Sequence, residues 1–276
     1  VAILLGIGGQ KPAPAASVSK SGFGDCKGLS NFMRAMLKEV GIASIYVTIS
    51  TTNRRLLKDF ASVGQTNHAI LQVPLANDTL WLECTNPQLP MGFLHEDIAG
   101  HDAIEINENG GRMVQLPVYA DSVNLMHSNI TINLDENGAA DVRIAQESLY
   151  GQYEDRIPLL KMDEKDRQKA LLRMLRVPQA TISQMNVGED EAKITVSAEV
   201  KSQCYATKTG QRLFVPICPI HNGYTTPYQS DNRQEDIFLK NGYLVEDEIT
   251  IVIPQGYDIE ARPKDQTLDH PFATFS

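Results

Sequence analysis

Apolar residues recur at three- and four-residue steps between positions 29 and 40, a spacing typical of a helix with one apolar face. The residues on that face are Leu29, Phe32, Met33, Met36, Leu37 and Val40. Asp25 is a good N-cap residue just before them, and Gly41 supplies a C-terminal stop. The pattern predicts an amphipathic helix with Cys26 in its first turn.

Two short apolar runs later in the chain predict a β-hairpin. Residues 68–75 are rich in branched aliphatic side chains, and residues 80–84 form a second run that ends at the turn-forming pair Asn86-Pro87. The polar residues 77–79 between them suit a tight connection. An alternating run over 44–50 predicts a further strand.

The pattern becomes predominantly β after residue 116. Residues 129–135 and 140–145 alternate on either side of Glu136-Asn-Gly138, a hairpin signal because Asn and Gly accept positive φ. Two more runs surround residues 188–190, another covers 244–253, and one helix is predicted over Lys165–Arg176. We therefore expect an α+β chain with a core over 1–116 and a mainly antiparallel β-sandwich domain, with one inserted helix, over 117–276.

Composition narrows the function classes without choosing one. The chain has 276 residues, 42% of them hydrophobic, and a formal net charge of −9. This balance excludes wholesale disorder and disfavours a nucleic-acid surface, which needs clustered Lys and Arg. No stretch is long and apolar enough to predict a membrane span. Four cysteines are too few for a disulfide scaffold, although a bridge between Cys204 and Cys218 stays open. The opening Val-Ala-Ile-Leu-Leu predicts a core strand.

Three residues along the first half have the chemistry for nucleophilic catalysis. Cys26 falls at a helix start, where unpaired N–H groups and the helix dipole favour a thiolate. His68 opens a predicted strand, where it can serve as the base. Glu83 ends the next strand, and the hairpin would bring its carboxylate near the ring of His68. The spacing predicts a Cys-His-Glu triad.

These motifs resemble the bacterial transglutaminase-like superfamily. The resemblance rests on Gly24-Asp25-Cys26-Lys27, Asn67-His68 and Trp81-Leu82-Glu83-Cys84-Thr85, and covers roughly residues 1–110. It implies a papain-like fold, here N-terminally incomplete, with Cys26 as nucleophile and His68 as general base and acid. Glu83 stands where the family has aspartate. Related bacterial proteins are usually exported and carry a β-rich domain after the core, so the resemblance implies export and a β-domain that contacts another domain or a partner.

Other constellations in the sequence are weaker. Gln10, in the glycine-rich stretch 6–9, could be a second oxyanion donor beside the Cys26 N–H, or an ordinary loop residue. A zinc site from Cys26, His68 and Cys84 lacks the usual ligand spacing, and no cofactor-binding motif is present. His95 and His101 lie in a polar loop, where we expect exposed side chains. The polar loop 51–67 either borders the substrate cleft or is a mobile insertion.

The sequence favours a cysteine peptidase or amidase that acts on a peptide or protein substrate through a thioester. One alternative is a cross-linking transglutaminase, in which an amine rather than water accepts the acyl group. The other is a catalytically degenerate scaffold or binding protein. The nucleophile and base are both present, which favours an enzyme.

Overall fold

The computed structural model describes residues 1–3, 9–60, 62–220, 232–234 and 241–276. In its first part, the helices and strands are α1 (Ala15–Ser21), α2 (Cys26–Glu39), β1 (Ile45–Ile49), β2 (His68–Pro74), β3 (Thr79–Leu82), β4 (Asp102–Asn107) and β5 (Gly110–Gln115). The remainder contains β6 (Leu125–Leu134), β7 (Ala140–Leu149), α3 (Gly151–Arg156), α4 (Pro158–Lys161), α5 (Glu164–Met174), β8 (Thr181–Asp190), β9 (Lys193–Ser202), β10 (Thr207–Thr209), β11 (Arg212–Phe214), β12 (Leu244–Val252), β13 (Leu268–His270) and β14 (Ala273–Phe275). The expected mixture of helices and antiparallel sheets is confirmed at this level. Within the described residues, no helix has both the length and the apolar character needed to cross a membrane.

The first sheet has the order β3-β2-β1-β4-β5, with every neighbouring pair antiparallel. The predicted hairpin is confirmed as β2 and β3, with Leu71 opposite Leu82. One face of this sheet buries an apolar cluster that includes Val47, Ile70 and Trp81. The last residues of β1 and β3 and the first residues of β2 and β4 lie at the same end of the sheet. The side chains at those strand ends are therefore brought together.

Helix α2 confirms the helix predicted after Asp25, but its buried face differs from the predicted one. Met36 is 41% exposed and Val40 is 70% exposed, whereas Cys26, Gly28 and Ser30 are buried. The small residues lie inward because other elements approach them closely: a Cβ on Gly28 would lie 3.4 Å from Ala13 Cβ. The Ser30 hydroxyl, 0% exposed, donates to the Ala69 carbonyl oxygen at 3.0 Å and ties α2 to β2.

The second sheet has the order β12-β6-β7-β9-β8. Its pairs are antiparallel except for β12, which runs parallel to β6 with Leu244 opposite Leu125. Helix α5 and the segment around Tyr205 and Ile220 cover its apolar face through Leu171. In the described chain, this layer, which also includes Leu213 of the two-stranded β10–β11 sheet, takes the place of the large second sheet of the sandwich prediction.

Three helices stand where one was predicted. Helix α5 corresponds to the prediction over 165–176, but α3 and α4, of 6 and 4 residues, were missed because they are too short to show helical periodicity. Tyr150, which precedes α3, has a φ of 56°. Of the predicted opening strand, Val1 is exposed and Ala2 makes an isolated bridge to Gly24, whereas residues 4–5 lie outside the described residues.

The two sheets meet in a shared apolar cluster. Phe93, from the loop after β3, packs on Tyr150 and Tyr153 beside β9. The Tyr150 hydroxyl donates to the Leu94 carbonyl oxygen at 2.9 Å. The loop between β3 and β4 is therefore held by both halves of the chain.

Candidate active site

Cys26 is the first residue of α2, as the sequence predicted. The Asp25 carboxylate caps the helix by accepting from the Gly28 N–H at 2.8 Å, and it also pairs with Lys27 at 2.5 Å. The Cys26 N–H, at the first helical position, has no carbonyl partner within the helix. Cys26 is 7% exposed. Its thiol thus lies at a helix N-terminus, beside one N–H group that the helix does not use.

His68 and Glu83 form a direct ion pair at the edge of the first sheet. The His68 Nε2 lies 2.7 Å from the Glu83 Oε2, and the side chains are 16% and 2% exposed. The other oxygen of Glu83 accepts from the N–H of Thr85 at 2.8 Å and from its hydroxyl at 2.5 Å. Both oxygens of the Glu83 carboxylate are therefore fixed by hydrogen bonds, and the bond from Glu83 to Nε2 fixes the orientation of the His68 ring.

The Cys26 thiol and the His68 ring lie close enough for a hydrogen-bonding interaction that shifts the pKa of each. Because Nε2 of His68 is bonded to Glu83, Nδ1 is the ring nitrogen left to face the sulfur. Burial raises the pKa of the Cys26 thiol, but the hydrogen bond and the charge of His68 outweigh it and lower that pKa below its ordinary 9.0. Burial lowers the pKa of His68, but its bonds to Cys26 and Glu83 raise it to about 9. This arrangement favours a thiolate–imidazolium pair.

Glu83 completes the electrostatics of the cluster. Burial raises the pKa of its carboxyl, but His68 and Thr85 outweigh that effect and lower the pKa below its ordinary 4.5. Glu83 is then ionised at neutral pH and stabilises a protonated His68. Tyr46, on β1, lies within electrostatic reach of Cys26 and Asp25, and burial raises its pKa above the usual range, so its phenol stays protonated. Chemically, the arrangement can activate sulfur for attack and can protonate a leaving group.

The comparisons with known proteins reach only part of this chain. Residues 211–276 match a family described as a domain of unknown function with a solved structure (DUF3858). A solved structure of a candidate protease from Parabacteroides distasonis is 10% identical, with a TM-score of 0.34, over 69% of this chain and 42% of that chain. This chain therefore spans less than half the length of that protein. No curated protein matches the sequence. Neither match covers the site with enough similarity to assign residues, so the site stands on its own geometry.

Gln10 is not brought to the cluster by any hydrogen bond in the described residues. It is exposed on the loop before α1, and residues 6–8 of the glycine-rich stretch lie outside the described chain. Its oxyanion role stays a prediction.

Cys84, weighed in the sequence as a zinc ligand, has other partners: its thiol contacts Ser30 and the Leu82 carbonyl oxygen, and burial raises its pKa to about 11. Across the described chain, no three His, Cys, Asp or Glu side chains converge as a metal site, and the four cysteines are unbridged.

The two loop histidines correct the expectation of exposed side chains. Both are partly buried: His95 Nδ1 bonds Glu154 of α3, and His101 Nδ1 donates to the Ser50 carbonyl oxygen at 2.8 Å. Burial lowers the pKa of His95, but its bond to Glu154 raises it overall, and His95 also lies within electrostatic reach of Glu83. The partners come from distant parts of the chain, so the local polar composition of the loop could not indicate them.

Sequence reasoning also missed Thr85 and Ser30. Thr85 lies two residues after Glu83 and donates both its N–H and its hydroxyl to one carboxylate oxygen. A side-chain turn to the N–H two positions later is typical of Asp and Asn but not of Glu, so the spacing gave no usable signal. Ser30 lies one helical turn after Cys26 and therefore on the same side of α2, but its partner on β2 is 39 residues away. Only the tertiary structure indicates its role.

Proposed function

We propose that this protein is a cysteine acyl-transfer enzyme, acting as a peptidase or amidase with Cys26 as nucleophile, His68 as general base and acid, and Glu83 as the residue that orients the imidazole. One observation carries the proposal: His68 bonds Glu83 at 2.7 Å, Glu83 is held in turn by Thr85, and the ring lies close enough to the Cys26 thiol for each to shift the pKa of the other. The match of residues 211–276 to DUF3858 also supports it, since that domain is commonly found alongside transglutaminase-like domains.

Acylation follows from the charge states. The Cys26 thiolate attacks the carbonyl carbon of the substrate, and a C–S bond forms. The negative charge that develops on the carbonyl oxygen is stabilised by the N–H of Cys26 at the start of α2. His68 gives its Nδ1 proton to the nitrogen as the C–N bond breaks, so the amine leaves neutral and a thioester remains on Cys26.

Deacylation reverses the roles of His68. The neutral imidazole takes a proton from water, the resulting hydroxide attacks the thioester, and the C–S bond breaks to release a carboxylic acid. The Cys26 thiolate and the His68 imidazolium are restored. Throughout, the Glu83 carboxylate accepts from Nε2 and fixes which ring nitrogen carries the transferred proton.

Trapping of the acyl-enzyme tests this proposal. The protein is mixed at pH 7 with a p-nitrophenyl ester of an acylated dipeptide, quenched in acid and digested, and the mass of the peptide that contains Cys26 is measured. We expect the acyl mass on Cys26, steady release of acid, and loss of both in Cys26→Ala. Cys84→Ala is the matched control, because it removes a thiol of raised pKa and should retain both signals.

The outcomes separate the proposed enzyme from its alternatives. No acyl mass on Cys26, or equal acylation of Cys204 and Cys218, which are exposed, would contradict the proposal and favour a scaffold or binding protein. Addition of a primary amine such as cadaverine distinguishes water from amine as the acyl acceptor: formation of the amide in preference to the acid would favour cross-linking. Export of the protein is part of the same proposal by resemblance alone.

A further inference from the structure

We infer that a polar cavity beside His68 is the subsite for the leaving side of the substrate, that is, for the residue whose amine is released, and that it takes an uncharged polar residue such as glutamine or asparagine. This inference rests on the proposed function. The cavity has a volume of about 350 Å³ and is lined by residues 51–55 together with Asp97 and His101. Its volume lies in the range of small-ligand pockets. We call it the leaving-side cavity.

The strand register places the leaving-side cavity next to His68. His68 on β2, Ile49 on β1 and Ala103 on β4 are directly opposite one another, so they lie in one row on one face of the sheet. The lining begins two residues after Ile49 and ends two residues before Ala103. With neighbouring strands about 4.8 Å apart, the row spans on the order of 10 Å. The cavity therefore lies beyond the ends of β1 and β4, at the end of the sheet where His68 begins β2.

A direct bond joins the cavity wall to the residue before His68. The Asn67 Oδ1 accepts from the Thr51 N–H at 2.9 Å, and its Nδ2 donates to the Thr51 hydroxyl at 3.0 Å. The Asn67 N–H also donates to the Ile49 carbonyl oxygen at 3.0 Å. His101, which also lines the cavity, is held by its bond to the Ser50 carbonyl oxygen. The wall is therefore built from ordered backbone that carries the candidate base.

The order of strands indicates which part of a substrate the cavity receives. Glu83 follows β3, on one side of β2, whereas the cavity lies beyond β1 and β4, on the other side. The acyl part of the substrate stays on Cys26, which belongs to α2. The departing amine must come within hydrogen-bond reach of His68 in order to take its proton. Groups attached to that amine consequently extend over the His68 side, away from Glu83, toward the cavity.

The chemistry of the lining favours an uncharged polar group. All the lining side chains are polar. The positive charges of Arg54 and Arg55 are balanced by Asp97 in the lining and by Asp102, which bonds Arg55 at 2.8 Å. Hydroxyl, amide and imidazole groups supply both donors and acceptors. An apolar residue would displace water from the Asn53 amide and from Nε2 of His101 without replacing its hydrogen bonds, and a charged residue would lack a net opposite charge.

Two peptides that differ only in the released residue test the inference. They share one acyl group and release either glutamine amide or leucine amide, and kcat/KM is measured for each. We expect the wild-type protein to prefer the glutamine peptide about tenfold, since a site built for hydrogen bonds rejects a group that cannot make them. Asn53→Ala and His101→Asn should each reduce that preference to about twofold or less. Asparagine is chosen at 101 because its amide can still donate to Ser50, so the wall is retained.

Asn109→Ala is the matched control, since Asn109 is exposed in the turn at the opposite end of β4, and it should keep the wild-type preference. Equal cleavage of the two peptides by the wild-type protein, or an unchanged preference in both cavity variants, would overturn the subsite alone. An absence of acylated Cys26 with the p-nitrophenyl ester would instead overturn the proposed function, and the subsite with it.

Discussion

Replacement of Glu83 by glutamine isolates the part of the site that depends on charge. Glutamine keeps the length of the side chain and one acceptor oxygen, but it removes the negative charge 2.7 Å from His68 Nε2. Glu83 is only 2% exposed, so water screens that charge little. Without it, the imidazolium loses its main stabilising partner besides the thiolate. The pKa of His68 should fall from about 9 toward its ordinary 6.5, and the pKa of Cys26 should rise toward 9.0.

The size of the effect follows from the strength of such a bond. A hydrogen bond to a charged group contributes roughly 1.5–3 kcal/mol, which corresponds to a pKa change of about one to two. Each rise of one in the pKa of the thiol reduces its thiolate fraction about tenfold below that pKa. A thiolate of higher pKa is also a stronger nucleophile, with a Brønsted coefficient of about 0.45. In Glu83→Gln the His68 imidazolium is therefore lost at lower pH than in the wild type, and alkylation between about pH 7 and pH 9 should slow by up to about threefold to twelvefold.

The assay is the rate of iodoacetamide modification of Cys26 between about pH 5 and pH 10. It is read by mass spectrometry of the peptide that contains Cys26, because Cys204 and Cys218 are exposed and would dominate a bulk measurement. Glu147→Gln is the control, since it removes a charge that pairs with Lys193 at 3.4 Å on the second sheet. If the Glu83→Gln profile coincides with the wild-type profile, Glu83 does not stabilise the imidazolium, and the electrostatic reasoning is refuted.

Three further predictions concern stability. The pKa of Glu83 in the folded state lies below its ordinary 4.5, so the ionised carboxylate stabilises the fold above pH 4.5, and this stabilisation is lost as the pH falls through the folded-state pKa. The wild-type Tm should therefore drop more steeply than that of Glu83→Gln between about pH 5 and pH 3. Ser30→Ala should lower the free energy of unfolding in urea by about 1–2 kcal/mol, because it leaves the buried Ala69 carbonyl without this donor. The control is Ser183→Ala, an exposed position that also bonds a carbonyl, which should cost less than about 0.5 kcal/mol. Equal costs would contradict the role given to the bond between α2 and β2. Gly138→Ala should lower the free energy of unfolding by about 3 kcal/mol or more, because φ at Gly138 is +89° and the new Cβ would lie 2.5 Å from the Ala206 carbonyl oxygen. Gly210→Ala is the control: φ there is +63° but the surrounding space is open, so the same measurement should show a loss of about 1 kcal/mol.

The features that the sequence predicted well are those with short-range signals. The N-cap at Asp25, the hairpin over β2 and β3 and the turn at Gly138 each depend on residues within a few positions of one another. The proximity of His68 and Glu83 was predictable for the same reason, since an antiparallel hairpin fixes which residues lie side by side. The pairing of Cys26 with His68 was proposed from residue type and element position and was supported by the resemblance to a known family, because 42 positions separate the two residues and no local signal joins them.

The burial of α2 and the cover of the second sheet were predicted less well, and the reason is the same for both. Periodicity indicates which face of an element is apolar, but not which neighbours approach it. Gly28 and Ser30 are buried because α1 and β2 lie close to them, so small side chains occupy the interior while Met36 stays exposed. Likewise, one apolar sheet face can be covered by a second sheet or by helices, and its alternating pattern is identical in the two cases. Helix α5 and the segment around Tyr205 cover it here.

The loop between β3 and β4 shows how such long-range contacts bear on chemistry. Its residues Leu94, His95 and Glu96 all bond to the second half of the chain: Leu94 accepts from Tyr150, His95 bonds Glu154, and the Glu96 N–H donates to Glu154 at 3.0 Å. The same loop begins at Glu83 and ends at the leaving-side cavity with Asp97 and His101. A segment that starts at the proposed orienting carboxylate and ends at the proposed subsite is thus fixed at its middle by α3 and by Tyr150 just before that helix. Because that support comes from outside the first 116 residues, the geometry of the site depends on both halves of the chain.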